Sequence, residues 1–423
     1  LLLHCGRINH NPPSRSFPLP KIDGARLLAD LRTLAQIGAY KTGVHRPTYS
    51  PQDMESREWL MQRMRDAGLE PEMDGIGNVI GRSPSNGPKL LLGSHIETQN
   101  HAGWLDGAMG VMYGLEVARA FAADPACAGL GIEVAAWADE EGHYGNFLGS
   151  KSFCGKLTEA DIDASTNKYG GATLREALAE AGLAGKSRLT IDPARYRGYL
   201  EAHIEQGADL ERSGLQIGVV TAIVGARQHV IEFQGVQNHA GTTRMSARKD
   251  AGVALVKLAT AIYEAFAELA DTRTVWTTGR ITLEPGAPSI VPGRAEMLMQ
   301  FRDTDPARLD RMSAALERLV ADANAGPCRV TCTRTSTSEP TAMDAGFQQA
   351  LTQAAERHAP GKHQAMPSGA GHDAQILATR LPSAMLFVPS IGGISHHYDE
   401  NTSDEDLVRG CEVFADAAKA ILG

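Results

Sequence analysis

Apolar positions along this chain follow two rhythms. Ser50-Pro51 with Asp53, then Met54, Leu60, Met61 and Met64 ahead of Gly68, supply the cap, stripe and stop of an amphipathic helix. Lys89-Leu90-Leu91-Leu92 running into Gly93-Ser94-His95 has the length of a strand buried on both faces. Gly131 to Trp137 repeats that design ahead of Asp139-Glu140-Glu141, and the apolar stretch Ala108 to Ala122 between the two predicts a helix. Strand, loop, helix and strand therefore alternate as in a mostly parallel sheet, whose ligands bind beyond the carboxyl ends of the strands.

The rhythm changes after Gly218. Ile231 and Phe233 alternate with Glu232 and Gln234 between Val230 and Val236, Ala247 to Leu269 forms a long amphipathic stripe, and Ala295 to Arg302 alternates again. Phe347 to His358, Met385 to Pro389 and Asp404 to Leu422 then resume helix, buried strand and helix. The fold class this predicts is α/β, with a discontinuous main domain over residues 21–216 and 328–423 and an inserted α+β unit over 217–327. A length of 423 residues, more than one core usually organises, agrees with two units. Residues 1–20, where a short Leu1-Leu2-Leu3 run gives way to Pro, Ser, Asn and Arg, predict a disordered leader.

Composition narrows the partners. A formal net charge of -9 opposes nucleic acid and anionic membranes, and no apolar run is long enough to span a bilayer. A small molecule is the expected partner. The six cysteines are scattered without a CxxC pair, as reduced thiols of a cytoplasmic protein would be, and Cys328 and Cys332 around Val330 read as strand residues.

Five positions carry the chemistry: His95, Asp106, Glu141, His203 and His396 all sit at expected strand ends or in the loops beyond them. Any one histidine there is more often a hydrogen-bonded structural residue. Together they offer two terminal ligands to each of two ions, with Asp106 as bridge, a set suited to Zn²⁺ or Mn²⁺. Glu140 and Glu141 are adjacent at a strand end, where neighbouring side chains point opposite ways, so one can bind metal while the other faces the reacting water. His101, His143 and His397 lie near these positions and read as solvated or supporting residues, while Trp104 and Tyr144 are candidate pocket walls.

The stretches GSHIETQNHAGWLDGAMGV from Gly93, ADEEGHYGNFLGS from Ala138, YLEAHIEQG from Tyr199, GVVTAIVGARQH from Gly218, NHAGTTRMSARKDA from Asn238, MPSGAGHDAQ from Met366 and GGISHHYDENT from Gly392 resemble, in order, the carbamoylase/hydantoinase-type amidases. That family includes N-carbamoyl-L-amino-acid hydrolases, β-ureidopropionases and allantoate amidohydrolases, within the di-metal aminoacylase and carboxypeptidase superfamily. The resemblance implies a di-metal catalytic domain with an inserted dimerisation (lid) domain, and two divalent ions per subunit: Zn²⁺ or Mn²⁺, with Co²⁺ or Ni²⁺ as alternatives. It implies one ion on His95 and Glu141, the other on His203 and His396, and Asp106 between them, with the pairing of terminal ligands left to geometry. Glu140 would be the general base. His239 would stabilise the oxyanion from the partner subunit of a homodimer, and Arg302 would grip the carboxylate of a small anionic amide or ureido substrate. Gln206, Gly369, Ala370, Gly371 and His372 are expected around that substrate.

Three positions depart from the family pattern. Glu97 stands for an aspartate whose carboxylate is expected to orient the metal-binding imidazole, Ser289 for a substrate-contacting asparagine, and Gln300 for an acidic residue two positions before Arg302. The first reading is hydrolysis of an N-carbamoyl amino acid or related ureido acid. Hydrolysis of N-acyl amino acids or dipeptides at the same centre is the second, and a non-catalytic binding protein of the same fold is the third.

Overall fold

The structure, a computed structural model, describes residues 20–423, so all but the last residue of the expected leader lies outside the described residues. The helix Pro51–Asp66 begins where Ser50 accepts a hydrogen bond from the Asp53 amide. Its inner face buries Leu60 and Met64 as the stripe predicts, but also the charged Asp53 and Arg57, which the stripe does not.

A nine-stranded mixed sheet organises the larger unit. At its centre Ser383–Val388, Tyr196–Ile204, Lys89–His95 and Gly131–Trp137 lie side by side and run parallel. The last two strands are buried at every position, as their unbroken apolar runs require. The helix Ala108–Ala123 covers one face and buries Met109, Val111, Met112, Tyr113, Leu115 and Phe121.

The smaller unit is a four-stranded antiparallel sheet in the order Val275–Glu284, Arg294–Asp303, Gly225–Gln234, Arg329–Ser338. Helices Ala251–Leu269 and Pro306–Ala323 pack on it around Phe233, Phe266, Met297, Phe301 and Leu316. Sheet membership moves both boundaries expected for this unit. Ile217–Ile223 pairs with Ser383–Val388 in the large sheet, and Arg329–Ser338 pairs with Gly225–Gln234 in the small one, so the small sheet runs from 225 to 338 rather than 217 to 327. Both segments are apolar or alternating strands, and only their pairing partners separate them. Among the described residues no helix is long and apolar enough to cross a membrane.

Candidate active site

Strand register brings the first two imidazoles together. Leu91 pairs with Tyr199 and Leu92 with Leu200, so three residues further along these parallel strands His95 comes beside His203. Their rings lie 6.1 Å apart. The loop from His95 returns through Asp106 to Gly107, whose φ of +66° starts the next helix. A Cβ on Gly107 would fall 2.4 Å from the His95 ring, so only glycine lets the turn close over the imidazole.

Asp106 is the hub. Its Oδ1 lies 3.1 Å from His203 Nε2 and 3.5 Å from His95 Nε2, while its Oδ2 lies 3.3 Å from His396 Nε2. His396 Nε2 is in turn 3.7 Å from Glu141 Oε2. Two groups result, His95 with Asp106 and His203, and Asp106 with Glu141 and His396, each with ligand atoms within 4.8 Å of one another. The pairing implied by resemblance is therefore corrected: His203 joins His95 because they lie on adjacent strands, and Glu141 joins His396 because both arrive on loops.

The donor set fits metal ions. His95 Nδ1 faces the Glu97 carbonyl at 3.0 Å and His203 Nδ1 the Ile204 carbonyl at 2.8 Å, so each ring donates from Nδ1 and turns its Nε2 toward Asp106. His95 Nε2 is buried without a hydrogen-bond partner, an orphan that an ion would satisfy. Three imidazoles, a shared carboxylate and Glu141 make a nitrogen and oxygen set of the kind Zn²⁺ and Mn²⁺ accept.

Glu140 and Glu141 do not diverge as strand neighbours would. The strand ends at Trp137, and Asp139, at φ +55°, accepts the amides of His143, Tyr144 and Gly145, which bends the chain back. Both glutamates thus face one site, with Glu140 Oε2 3.6 Å from His95 Nε2. Burial, opposed by His95 and reinforced by the carboxylates of Glu141, Asp373 and Asp106, raises the Glu140 pKa well above the usual carboxylate value. Burial pushes the Asp106 carboxyl up as well, yet the imidazoles of His203, His396 and His95 around it hold it well below that value.

Supporting residues surround the cluster, and several were not singled out from sequence. Gln99 donates to Glu141 Oε2 at 2.8 Å, Lys168 to the Glu141 carbonyl at 2.9 Å, and Glu400 accepts the Asp106 amide at 3.0 Å. Gln99 and Glu400 stood inside the stretches that carried the resemblance, the only sign of them in the sequence. Gln206, expected to face substrate, donates to Asp106 Oδ2 at 2.9 Å and lies 3.3 Å from His396 Nε2. The Glu97 carboxylate does not orient His95, since the Glu97 backbone carbonyl does; the carboxylate instead accepts the Glu140 amide at 2.7 Å and Arg57 Nη2 at 2.8 Å.

A model of the peptidase family M20/M25/M40 matches residues 91–420. An N-carbamoyl-L-amino-acid amidohydrolase of Paenarthrobacter aurescens is 32% identical, over 95% of this chain and 99% of its own length. Allantoate amidohydrolase of Escherichia coli is 33% identical, over 88% of this chain and 92% of its own. The crystal structure of a hydantoinase/carbamoylase family amidase from Burkholderia phymatum superposes with a TM-score of 0.88 at 49% identity, over 96% of this chain and all of that one. This chain belongs to the M20/M25/M40 family, among its hydantoinase/carbamoylase amidases. Within that family frame, the remaining expected site residues fall into two sets.

Arg302 lies between the units, donating from Nε to Gln300 at 2.7 Å and from Nη1 to the Gly369 carbonyl at 3.0 Å. Gly371 and Arg302 line one cavity between the units, and the Ala370 carbonyl accepts from Ser368. His372 is no pocket wall: it is buried, its ring 4.6 Å from that of His203 and its Nε2 2.9 Å from Ser368 Oγ, so it backs a ligand instead. His239 and Ser289 stand apart from all of these. His239 pairs with Ile290, accepts the amides of Gly241 and Thr242 at Nδ1, and is exposed, and the Ser289 carbonyl accepts the Ala240 amide. No hydrogen bond or ion pair ties either residue to the cluster. Among the neighbouring histidines, His101 stacks on His45, His143 is buried against Thr48, and His397 packs on Tyr398.

Proposed function

We propose that this protein is a metal-dependent amidohydrolase that cleaves the C–N bond of an N-carbamoyl amino acid or a related ureido acid. The observation that carries the reading is the pair of three-residue groups sharing Asp106, with Glu140 beside them. Relatives named for carbamoyl amino acids and allantoate support the ureido substrate over an acylated one. Two divalent ions, Zn²⁺ or Mn²⁺ with Co²⁺ or Ni²⁺ as alternatives, would be held by His95, His203, Glu141 and His396 around Asp106, and when bound they supply an acidified water and a polarised carbonyl.

The chain's own residues do the rest. Arg302 holds the substrate carboxylate in its planar fork. Glu140, whose raised pKa suits it to carry a proton, takes one from the attacking water and delivers it to the nitrogen as that leaves. Water adds across the bond, and the carbamic acid released decomposes to ammonia and carbon dioxide. His239 and Ser289 act on substrate from the partner subunit of a homodimer. Its interface is the apolar surface left exposed at Val253, Val256 and Tyr263 of one helix and at Ile281 and Leu283 of the sheet's edge strand. The setting proposed is cytoplasmic, with the five described cysteines free.

Ammonia release from carbamoyl amino acids, ureidoglycolate and allantoate, set against amine release from acyl amino acids, tests the reading on metal-reconstituted protein. Glu140→Gln should lower turnover by about 10²–10⁴ without loss of metal. Cleavage of acyl compounds alone would transfer the protein to the aminoacylases. Silence across the panel with metal bound would leave the binding-protein reading.

A further inference from the structure

Beside Arg302 a cavity of about 460 Å³ opens between the two units. Lys151 and Lys156 come to it from the large unit, and Gln228, Gln300, Arg302 and Thr337 from the small one. Its wall also includes Phe147 and Gly371, and these tie it to the catalytic cluster. The Phe147 amide donates to the Glu140 carbonyl, and Gly371 precedes the His372 ring that backs His203.

The charge of this cavity is unbalanced. Arg302 bonds only to a neutral amide and a carbonyl. The Lys151 ammonium, half-buried on the helix Leu148–Phe153, lies 6.0 Å from the Phe147 ring centre and makes no side-chain hydrogen bond or ion pair among the described residues, and neither does the ammonium of exposed Lys156. Burial lowers the Lys151 pKa, and the more distant carboxylates of Asp161, Asp139 and Asp373 offset it only in part. The acidic side chain on the wall, Glu339, is already held by Arg227 at 2.8 Å. Three cations thus face one polar cavity whose carboxylate is spoken for. A substrate with a single carboxylate on Arg302 would leave Lys151 partly desolvated and unpaired, which costs binding energy, whereas a second carboxylate would remove that cost.

We propose that this cavity is a subsite for a second anionic group, so that the preferred substrate is a dianionic ureido acid with one carboxylate on Arg302 and another on Lys151, with Lys156 at the mouth. This rests on the hydrolytic reading above and adds the substrate class to it. Selectivity follows from an uncharged amide in place of the second carboxylate, which fills the same volume yet leaves the ammonium unpaired.

The test compares N-carbamoyl aspartate and glutamate with N-carbamoyl asparagine and glutamine on the metal-reconstituted enzyme. The acids should lead in kcat/KM by about tenfold or more. Lys151→Met should cut that ratio by about tenfold and Lys151→Arg should keep it. A second arm needs no turnover: calorimetric titration of Glu140→Gln protein with succinate and with its monoamide should show the same preference and the same dependence on Lys151. Equal kcat/KM for acid and amide, or a ratio untouched by Lys151→Met, overturns the subsite even where ureido compounds are cleaved. A dicarboxylate preference lost in Lys151→Met, with no ureido compound cleaved, sustains the subsite and defeats the proposed reaction instead.

Discussion

In the large unit, Asp106 lies within 3.5 Å of His95, His203 and His396, and Glu140 and Glu141 complete the cluster inside one chain. On the small unit, among the described residues His239 and Ser289 hydrogen-bond only to their own loop and its pairing strand. The first region shows how a parallel sheet gathers a site: adjacent strands in register, then loops that return. The second leaves two expected site residues apart from the cluster, and the proposed homodimer gives them something to act on. In that dimer it is the catalytic cluster of a second copy, and each active site would draw on two chains.

The largest effect expected bears on this point. His239→Ala should lower kcat by about 10²–10³, the range for losing one oxyanion donor, with metal content unchanged. Mixing Glu140→Gln with His239→Ala subunits then decides which chain supplies the histidine. If it comes from the partner, a mixed dimer carries one intact site of two, and random exchange restores about a quarter of wild-type activity. If His239 served its own subunit, both sites of a mixed dimer would lack a residue and no activity would return.

Next in size is an effect confined to the small unit. His229 lies stacked on Phe301 with 5.6 Å between centroids, its Nδ1 buried without a partner. Burial, then Arg334 and Arg227, lowers its pKa to about 4. In the unfolded chain the imidazole titrates near its ordinary value of about 6.5, so below that pH the unfolded state binds a proton the folded state refuses. Stability contributed by the neutral ring is full above about pH 6.5 and is lost as pH falls toward 4, by up to about 3 kcal/mol. Urea unfolding at pH 7 and pH 4.5 should show this loss in the wild type and a smaller one in His229→Leu. An equal loss in both proteins would remove His229 as the cause. The outcome also tells whether the two units fail separately in acid, since His229 has no contact with the cluster.

Much of this was legible in the residues. Unbroken apolar runs such as Leu90-Leu91-Leu92 read as strands covered on both faces, and the polar residues at their ends and in the loops beyond were the ones the structure brings together. Pairing was not legible. Nothing in the spacing of Ile217–Ile223 or Arg329–Ser338 says which sheet each joins, and nothing in the order of His95, Glu141, His203 and His396 says which two share an ion, because both depend on neighbours distant in sequence. Local backbone direction was equally hidden: the strand stops at Trp137, and the turn that carries Glu140 and Glu141 removes the opposition an extended strand would impose.

Glu97 gives the smallest effect and the sharpest contrast between those two kinds of information. A carboxylate two residues beyond a metal-binding histidine is expected to hold that histidine, yet the backbone carbonyl of Glu97 takes His95 Nδ1 at 3.0 Å and leaves the carboxylate 3.9 Å away. The side chain spans instead from Arg57, itself paired with Asp53 at 3.0 Å, to the amide of Glu140. Glu97→Asp, one methylene shorter, cannot keep both ends of that span. Losing the Glu140 end should reduce kcat by about tenfold while metal affinity and KM hold, because the residue displaced is the proposed proton carrier and not a proposed ligand. Were kcat in Glu97→Asp restored by saturating metal, the carboxylate would be acting through His95 after all, and the contrast would close.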